Sequence, residues 1–209
     1  MRAAQNIRPA EEARPEALRF GGGSSRGPAE PPFANVQLAA FLLVAASAML
    51  FASLLSALVI LRGASLAWPP PDQPFLPLGI TMLNTAVLLS SGLSVYRATR
   101  KPENPEVPRL LLRACLLGGV FLAIQGVEWA RLVSRGLTLA SSLYGTMFYS
   151  LIGLHALHVG GALGWLAHTA LRSRSGIYSR HPAGLRACAT YWYFVCGLWL
   201  VLFFVVYLP

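Results

Sequence analysis

Charge is what this sequence has least of. Only 12% of its 209 residues are Asp, Glu, Lys or Arg, against about 25% in a soluble domain, which argues against an ordinary soluble fold. Acids are the scarcer sign, with 8 Asp+Glu against 17 Lys+Arg. Asp is absent from every apolar span, and Glu128 is the one acid within them, so no paired carboxylates are available for acid–base work. Cysteine is also sparse. Cys115, Cys188 and Cys196 share no Cys-x-x-Cys spacing; they are too few for a disulfide scaffold and read as small buried hydrophobes. The 19 Gly and 15 Pro are too few for a collagen-like or disordered polymer. No phosphate-binding glycine loop and no nucleophile elbow occurs.

What is present is apolar. Hydrophobic residues make up 55% of the chain, and the mean hydropathy is +0.55. A membrane helix needs about 20 mostly apolar residues at a rise of about 1.5 Å each. Five segments qualify, at residues 36–61, 76–96, 110–132, 144–171 and 187–208. Five buried helices of a soluble bundle would each need a polar stripe, which the first and fifth segments lack. The sequence therefore predicts an all-α integral membrane protein with five transmembrane helices over residues 35–209. Residues 1–34 are different material, rich in Arg, Glu, Ala and Pro with a Gly-Gly-Gly-Ser-Ser run, and are expected to form a flexible extension. They hold no apolar stretch of the kind a signal peptide needs.

The connectors are polar or proline-rich, and their basic residues alternate in number. The extension carries Arg2, Arg8, Arg14, Arg19 and Arg26. The connector after the second span carries Arg97, Arg100, Lys101, Arg109 and Arg113, and the one after the fourth carries Arg172, Arg174, Arg180 and Arg186. The opposite side holds only Arg62, Arg131 and Arg135. The positive-inside rule then predicts a cytoplasmic N-terminus and an outside C-terminus. The same asymmetry accounts for the net charge of +9 without a nucleic-acid partner.

Polar groups inside a membrane are costly and call for an explanation. Gln125 and Glu128 lie on the third span, and His155 and His158 on the fourth, three residues apart and so on one face. One reading is a structural hydrogen-bond network joining helices. The other is a metal site, and thus a stand-alone metal-dependent membrane enzyme using His155 and His158. A zinc enzyme wants three ligands and a di-iron bundle several Glu. Counted along the helices, Glu128 lies roughly 6 Å and His155 roughly 16 Å below the outer surface, which fits a shared metal badly. A transporter would show an inverted repeat, and none is evident. Two small-residue ladders, Ala48, Ala52 and Ser56 on the first span and Gly160 and Gly164 on the fourth, suit close helix packing.

Several strings, taken in order, carry a resemblance. They are Trp68 to Pro71, Leu83 to Ser91 (Leu-Asn-Thr-Ala-Val-Leu-Leu-Ser-Ser), and Gln125-Gly-Val-Glu-Trp129. Tyr144-Gly-Thr-Met-Phe-Tyr149, Gly153-Leu-His-Ala-Leu-His-Val159 and Tyr191-Trp-Tyr-Phe-Val-Cys-Gly-Leu-Trp199 follow. In this order and spacing the chain resembles subunit III of the haem–copper respiratory oxidases, in its short five-helix bacterial form. The resemblance implies a non-catalytic accessory subunit in the bacterial plasma membrane. Such a subunit packs on subunit I, assembles with subunit II and the other respiratory subunits, and holds phospholipids. Haem and copper then belong to partner chains and none to this one. A subunit III-like partner of a quinol oxidase or of a nitric oxide reductase is the alternative within the superfamily. The chain departs from the family pattern at three ionisable positions. Ser47 stands for a buried Glu, Tyr193 for a His, and Cys196 for an Asp. A packing and lipid-holding role survives those losses better than a proton-handling one.

Overall fold

A computed structural model describes residues 35–70 and 77–208; the predicted extension, residues 1–34, lies outside them. The described chain is helical throughout, with α1 at Asn35–Ala64, α2 at Leu78–Arg100, α3 at Val107–Ser134 and α4 at Leu143–Ser173. A short α5 at Ile177–Arg180 precedes α6 at Ala183–Leu202, which runs on into a π-helical turn at Phe203–Tyr207. Five of these helices, with α6 and its π turn counted as one, are long and apolar enough to cross a membrane.

The helices outrun the apolar segments by a few residues at most ends, because helical hydrogen bonding continues into the polar flanks after the hydrocarbon stops. The 30 residues of α1 span roughly 45 Å at the α-helical rise, against a hydrocarbon core of about 30 Å. The boundaries follow local chemistry. Pro102 comes just after Arg100, where it cannot continue α2. Pro108 sits in the first turn of α3, where its missing N–H costs nothing. Gly136, with φ of 92°, takes the left-handed turn after α3 that a Cβ would strain. The Ser142 hydroxyl caps α4 by accepting from the Gly145 N–H at 3.0 Å. Near the end of the connector after α4, the ring of Tyr178 lies against Gly184. Burial pushes its phenol above the usual range.

α6 forms the middle of the bundle, packing against α1, α2 and α4, while α3 links α2 to α4. Its aromatic side chains Trp192 and Trp199 are fully buried. α1 is attached along one stripe, with Ala40, Ser47, Phe51 and Leu58 buried and Val44, Leu54 and Leu55 packed beside them, and exposes much of the rest of its circumference. Polar side chains tie the helices at depth. Asn84 Nδ2 donates to the Phe121 carbonyl at 3.0 Å, Trp192 Nε1 to Ser91 Oγ at 3.2 Å, and Trp199 Nε1 to Thr85 Oγ1 at 2.9 Å. Such bonds between membrane helices are modest, about 0.6 kcal/mol each on average. They fix which rotation of each helix faces the others.

Candidate functional site

The polar groups of the spans lie along a seam of aromatic rings between α3, α4 and α6. His155 on α4 is buried. Its ring stacks on Trp199 at 5.2 Å and meets the edges of Phe51 at 6.4 Å and Phe121 at 6.5 Å. Among the described residues neither ring nitrogen has a hydrogen-bond partner. His158, half-buried one turn on, gives its Nδ1 proton to the Leu154 carbonyl of its own helix at 2.8 Å. Its ring lies 5.2 Å from Phe51.

Gln125 and Glu128 serve different partners. Gln125 Nε2 donates to the Tyr207 hydroxyl at 2.9 Å, across to the π-helical turn. Such π turns cluster at functional sites, and here the turn brings Tyr207 to within 6.0 Å of Trp199 and Phe148. Glu128 is paired with Arg131 at 2.7 Å, one turn along α3. The carboxylate side chain is 7% exposed and the guanidinium 56%, so the arginine carries the pair's charge toward water. Residues 125, 128, 155 and 158 therefore do not form the single hydrogen-bonded network that their positions suggest. Among the described residues Glu128 and His158 find their partners within their own helices, and of the four only Gln125 bonds to another helical element. Among the described residues no group of three or more His, Cys, Asp or Glu side chains gathers in metal-ligating array.

The three positions where the sequence departs from the family pattern each meet a neutral neighbour. Ser47 is buried and lies near the Tyr191 hydroxyl. The Tyr193 hydroxyl lies 3.2 Å from Thr99 Oγ1. The Cys196 thiol lies near the Ser91 hydroxyl, which donates to the Leu88 carbonyl and accepts from Trp192. α1 and α2 thus meet α6 through hydroxyl and thiol groups, which need no counter-charge.

The two small-residue ladders lie on the outside of the bundle. Ala48, Ala52 and Ser56 face outward on α1, and Gly160 and Gly164 face outward on α4, with open space where their Cβ atoms would stand. They pack against none of the described helices. The close approaches within the bundle are made elsewhere, at Gly118 against Trp192 and Leu163. Sequence reasoning also missed the two indole bonds. Their signal was present: Trp192 and Trp199 are seven apart on α6, and Thr85 and Ser91 are six apart on α2. Each set spans about two helical turns, so two antiparallel helices match them as two rungs.

The orphaned ring of His155 gives a first prediction. A buried polar atom without a partner costs about 1–3 kcal/mol, whereas losing an aromatic stack costs about 0.5–1.5 kcal/mol. His155→Leu, similar in volume, is expected to leave the melting temperature of the detergent-purified protein unchanged or raised. A clear fall would mean that the imidazole is hydrogen-bonded in the native protein, to a buried water or another chain.

Comparison with known proteins extends these observations. Residues 34–209 match the family model described as "Cytochrome c oxidase subunit III". A relative named cytochrome c oxidase subunit 3 from Synechocystis sp. is 36% identical over 172 residues, covering 80% of this chain and 72% of the relative. A protein of the same name from Spodoptera frugiperda is 35% identical over 145 residues, 67% of this chain and 97% of that one. The lamprey protein of that name, from Petromyzon marinus, is 35% identical over 147 residues, 68% of this chain and 55% of its own length.

Proposed function

This chain belongs to the cytochrome c oxidase subunit III family, and from that premise we propose that it is a non-catalytic accessory subunit of a terminal haem–copper oxidase. In this reading it is a component of an aerobic respiratory complex in a bacterial plasma membrane, with its N-terminus on the cytoplasmic side. It packs on subunit I, sits in one assembly with subunit II, and holds phospholipids between and around its helices. Haem and copper are carried by the partner subunits. The observation that carries the reading is that the family match runs without a break across all five apolar helices.

The physical role follows from the bundle. Subunit association in a bilayer gains little from hydrophobic transfer, since lipid tails are as apolar as Leu, and relies on close packing of small residues. The outward ladders Ala48–Ala52–Ser56 and Gly160–Gly164 supply two such faces, and the central aromatic seam keeps the helices behind them rigid. Ser47, Tyr193 and Cys196, with the neutral partners described above, offer no ionised group for relaying protons. The contribution to oxygen reduction is then one of shape, holding subunit I and its lipids in place.

The test is purification of the tagged chain from its native membrane in mild detergent, followed by a reduced-minus-oxidised spectrum. Haem bands, with a large multi-span chain in near-equal amount, are expected. A colourless 22.5 kDa chain on its own, from a preparation that keeps other respiratory complexes intact, would overturn the reading.

A further inference from the structure

We propose that the turn joining α2 to α3 holds the headgroup of one anionic phospholipid, gripped by Arg97, Arg100 and Lys101 above Tyr96. The inference rests on the lipid-holding part of the function proposed above and gives it a place and a charge.

Arg97, Arg100 and Lys101 are spaced i, i+3 and i+4, which brings them to one face at the last turn of α2. A groove of about 450 Å³ opens there, lined by these three cations with Tyr96, Asn104, Glu106 and Leu110. Arg100 is held in position. Its Nη1 donates to the Tyr96 hydroxyl at 2.8 Å, and its guanidinium lies 5.5 Å from the centre of the Tyr96 ring. That contact combines a hydrogen bond with a cation–π interaction. Tyr96 is 45% exposed and stands where an apolar helix leaves the hydrocarbon, the level at which tyrosines anchor membrane helices.

Among the described residues no ion pair holds the cations at the groove. Glu103 and Glu106 lie in the same turn, yet among the described residues the one ion pair is Arg131 with Glu128. Asn104 instead folds back, its side-chain oxygen accepting from the Glu106 N–H at 2.8 Å. Three cations outside any ion pair, against the single carboxylate of Glu106 in the lining, therefore meet Leu110 and an aromatic ring. A phosphodiester headgroup with acyl chains running down α2 and α3 matches both halves. Cations at a helix C-terminus also complement its dipole, but that effect needs neither a groove nor convergence on one face. A soluble phosphate would satisfy the cations and leave the apolar half unused.

The experiment is native mass spectrometry of the tagged chain, with whatever partners co-purify, titrated with phosphatidylglycerol or phosphatidylcholine. Each cation near an anionic headgroup is worth about fivefold in affinity. The unaltered protein is expected to retain phosphatidylglycerol over phosphatidylcholine, and Arg97→Gln/Lys101→Gln to bind it roughly twentyfold more weakly. Arg174→Gln/Arg180→Gln, an equal charge loss in the α4–α6 connector, is expected to bind nearly as the unaltered protein does. Equal weakening by both double variants would mean a diffuse basic surface and would overturn the site. Unchanged binding by the first pair would overturn it too, as would full displacement of the lipid by millimolar glycerol 3-phosphate. If the unaltered protein shows no preference for phosphatidylglycerol, the site is again overturned. If it retains neither lipid, the lipid-holding role itself falls, whereas the other failures leave that role standing.

Discussion

Trp199→Ala is expected to destabilise the bundle by about 3 kcal/mol, the lower end of the range for removing a buried aromatic. The lower end applies because part of that range is transfer from water, which is missing when the alternative surroundings are lipid. What is left is packing, and Trp199 has much to lose. It is fully buried, stacks on His155 at 5.2 Å, and takes Phe121 edge-on at 4.9 Å. Its Nε1 donates to Thr85, one of the two indole bonds between α6 and α2. The Thr85 hydroxyl also donates to the Thr81 carbonyl at 2.7 Å, so losing the indole leaves no orphaned donor there, and the cost is the cavity. Trp199→Phe separates the terms, since it keeps most of the ring and removes only the bond. It is expected to cost about 0.6 kcal/mol for the bond plus a small cavity term. Thermal unfolding in detergent, followed by circular dichroism, orders the three proteins. If Trp199→Ala melts with the unaltered protein, α6 is not the helix around which the others are held.

Much of the fold was legible because apolar run length is a local property. All five spans were readable, and their ends fell within about four residues of the helices, with Pro102, Pro108 and Gly136 marking boundaries by local backbone chemistry. Which face of each helix turns inward was not legible. A soluble helix shows its buried face as an apolar stripe, but α1 is apolar nearly all round, and only Ala40, Ser47, Phe51 and Leu58 are buried. The ladder of Ala48, Ala52 and Ser56 looked like an internal contact because small residues mark a packing face without saying whose. The polar residues misled in a related way. His155 and His158 share a helix face, but His158 bonds to its own backbone and His155 to nothing among the described residues. Glu128 found its cation three residues away, an option already open in the sequence. A long-range partner such as Tyr207 for Gln125, 82 residues on, depends on how the helices are rotated, and no local pattern carries that.

Gly118→Leu is expected to have the other large effect, and its neighbour Gly119 supplies the control. A Cβ on Gly118 would lie 2.7 Å from Trp192 Cη2, 2.9 Å from Trp192 Cζ2 and 2.8 Å from Leu163 Cδ2. All three distances are well inside van der Waals contact. Leu163 is only partly buried and has rotamers to move into. Trp192 is fully buried, and its Nε1 is tied to Ser91, so the indole has nowhere to swing. Even Gly118→Ala must then push α3 away from α6, at a cost of about 1–3 kcal/mol, and Gly118→Leu at more. Gly119 has nothing within 4 Å of its would-be Cβ and points outward. Gly119→Ala keeps the packing and gains helix propensity, about 0.8–1.0 kcal/mol in a helix interior. Two adjacent glycines on one helix should therefore respond to the same substitution with opposite signs. Melting curves of the two alanine variants in one detergent measure this directly. Equal shifts would mean that α3 does not meet Trp192 at Gly118, and with that contact the α3–α4–α6 arrangement of the seam would go. In the assembled complex the same contrast should reappear, Gly118→Leu losing the partner chain on purification and Gly119→Ala keeping it. If the outward faces bind a partner as proposed, the bundle behind them, more than any single residue on them, is expected to decide whether they stay in shape to do so.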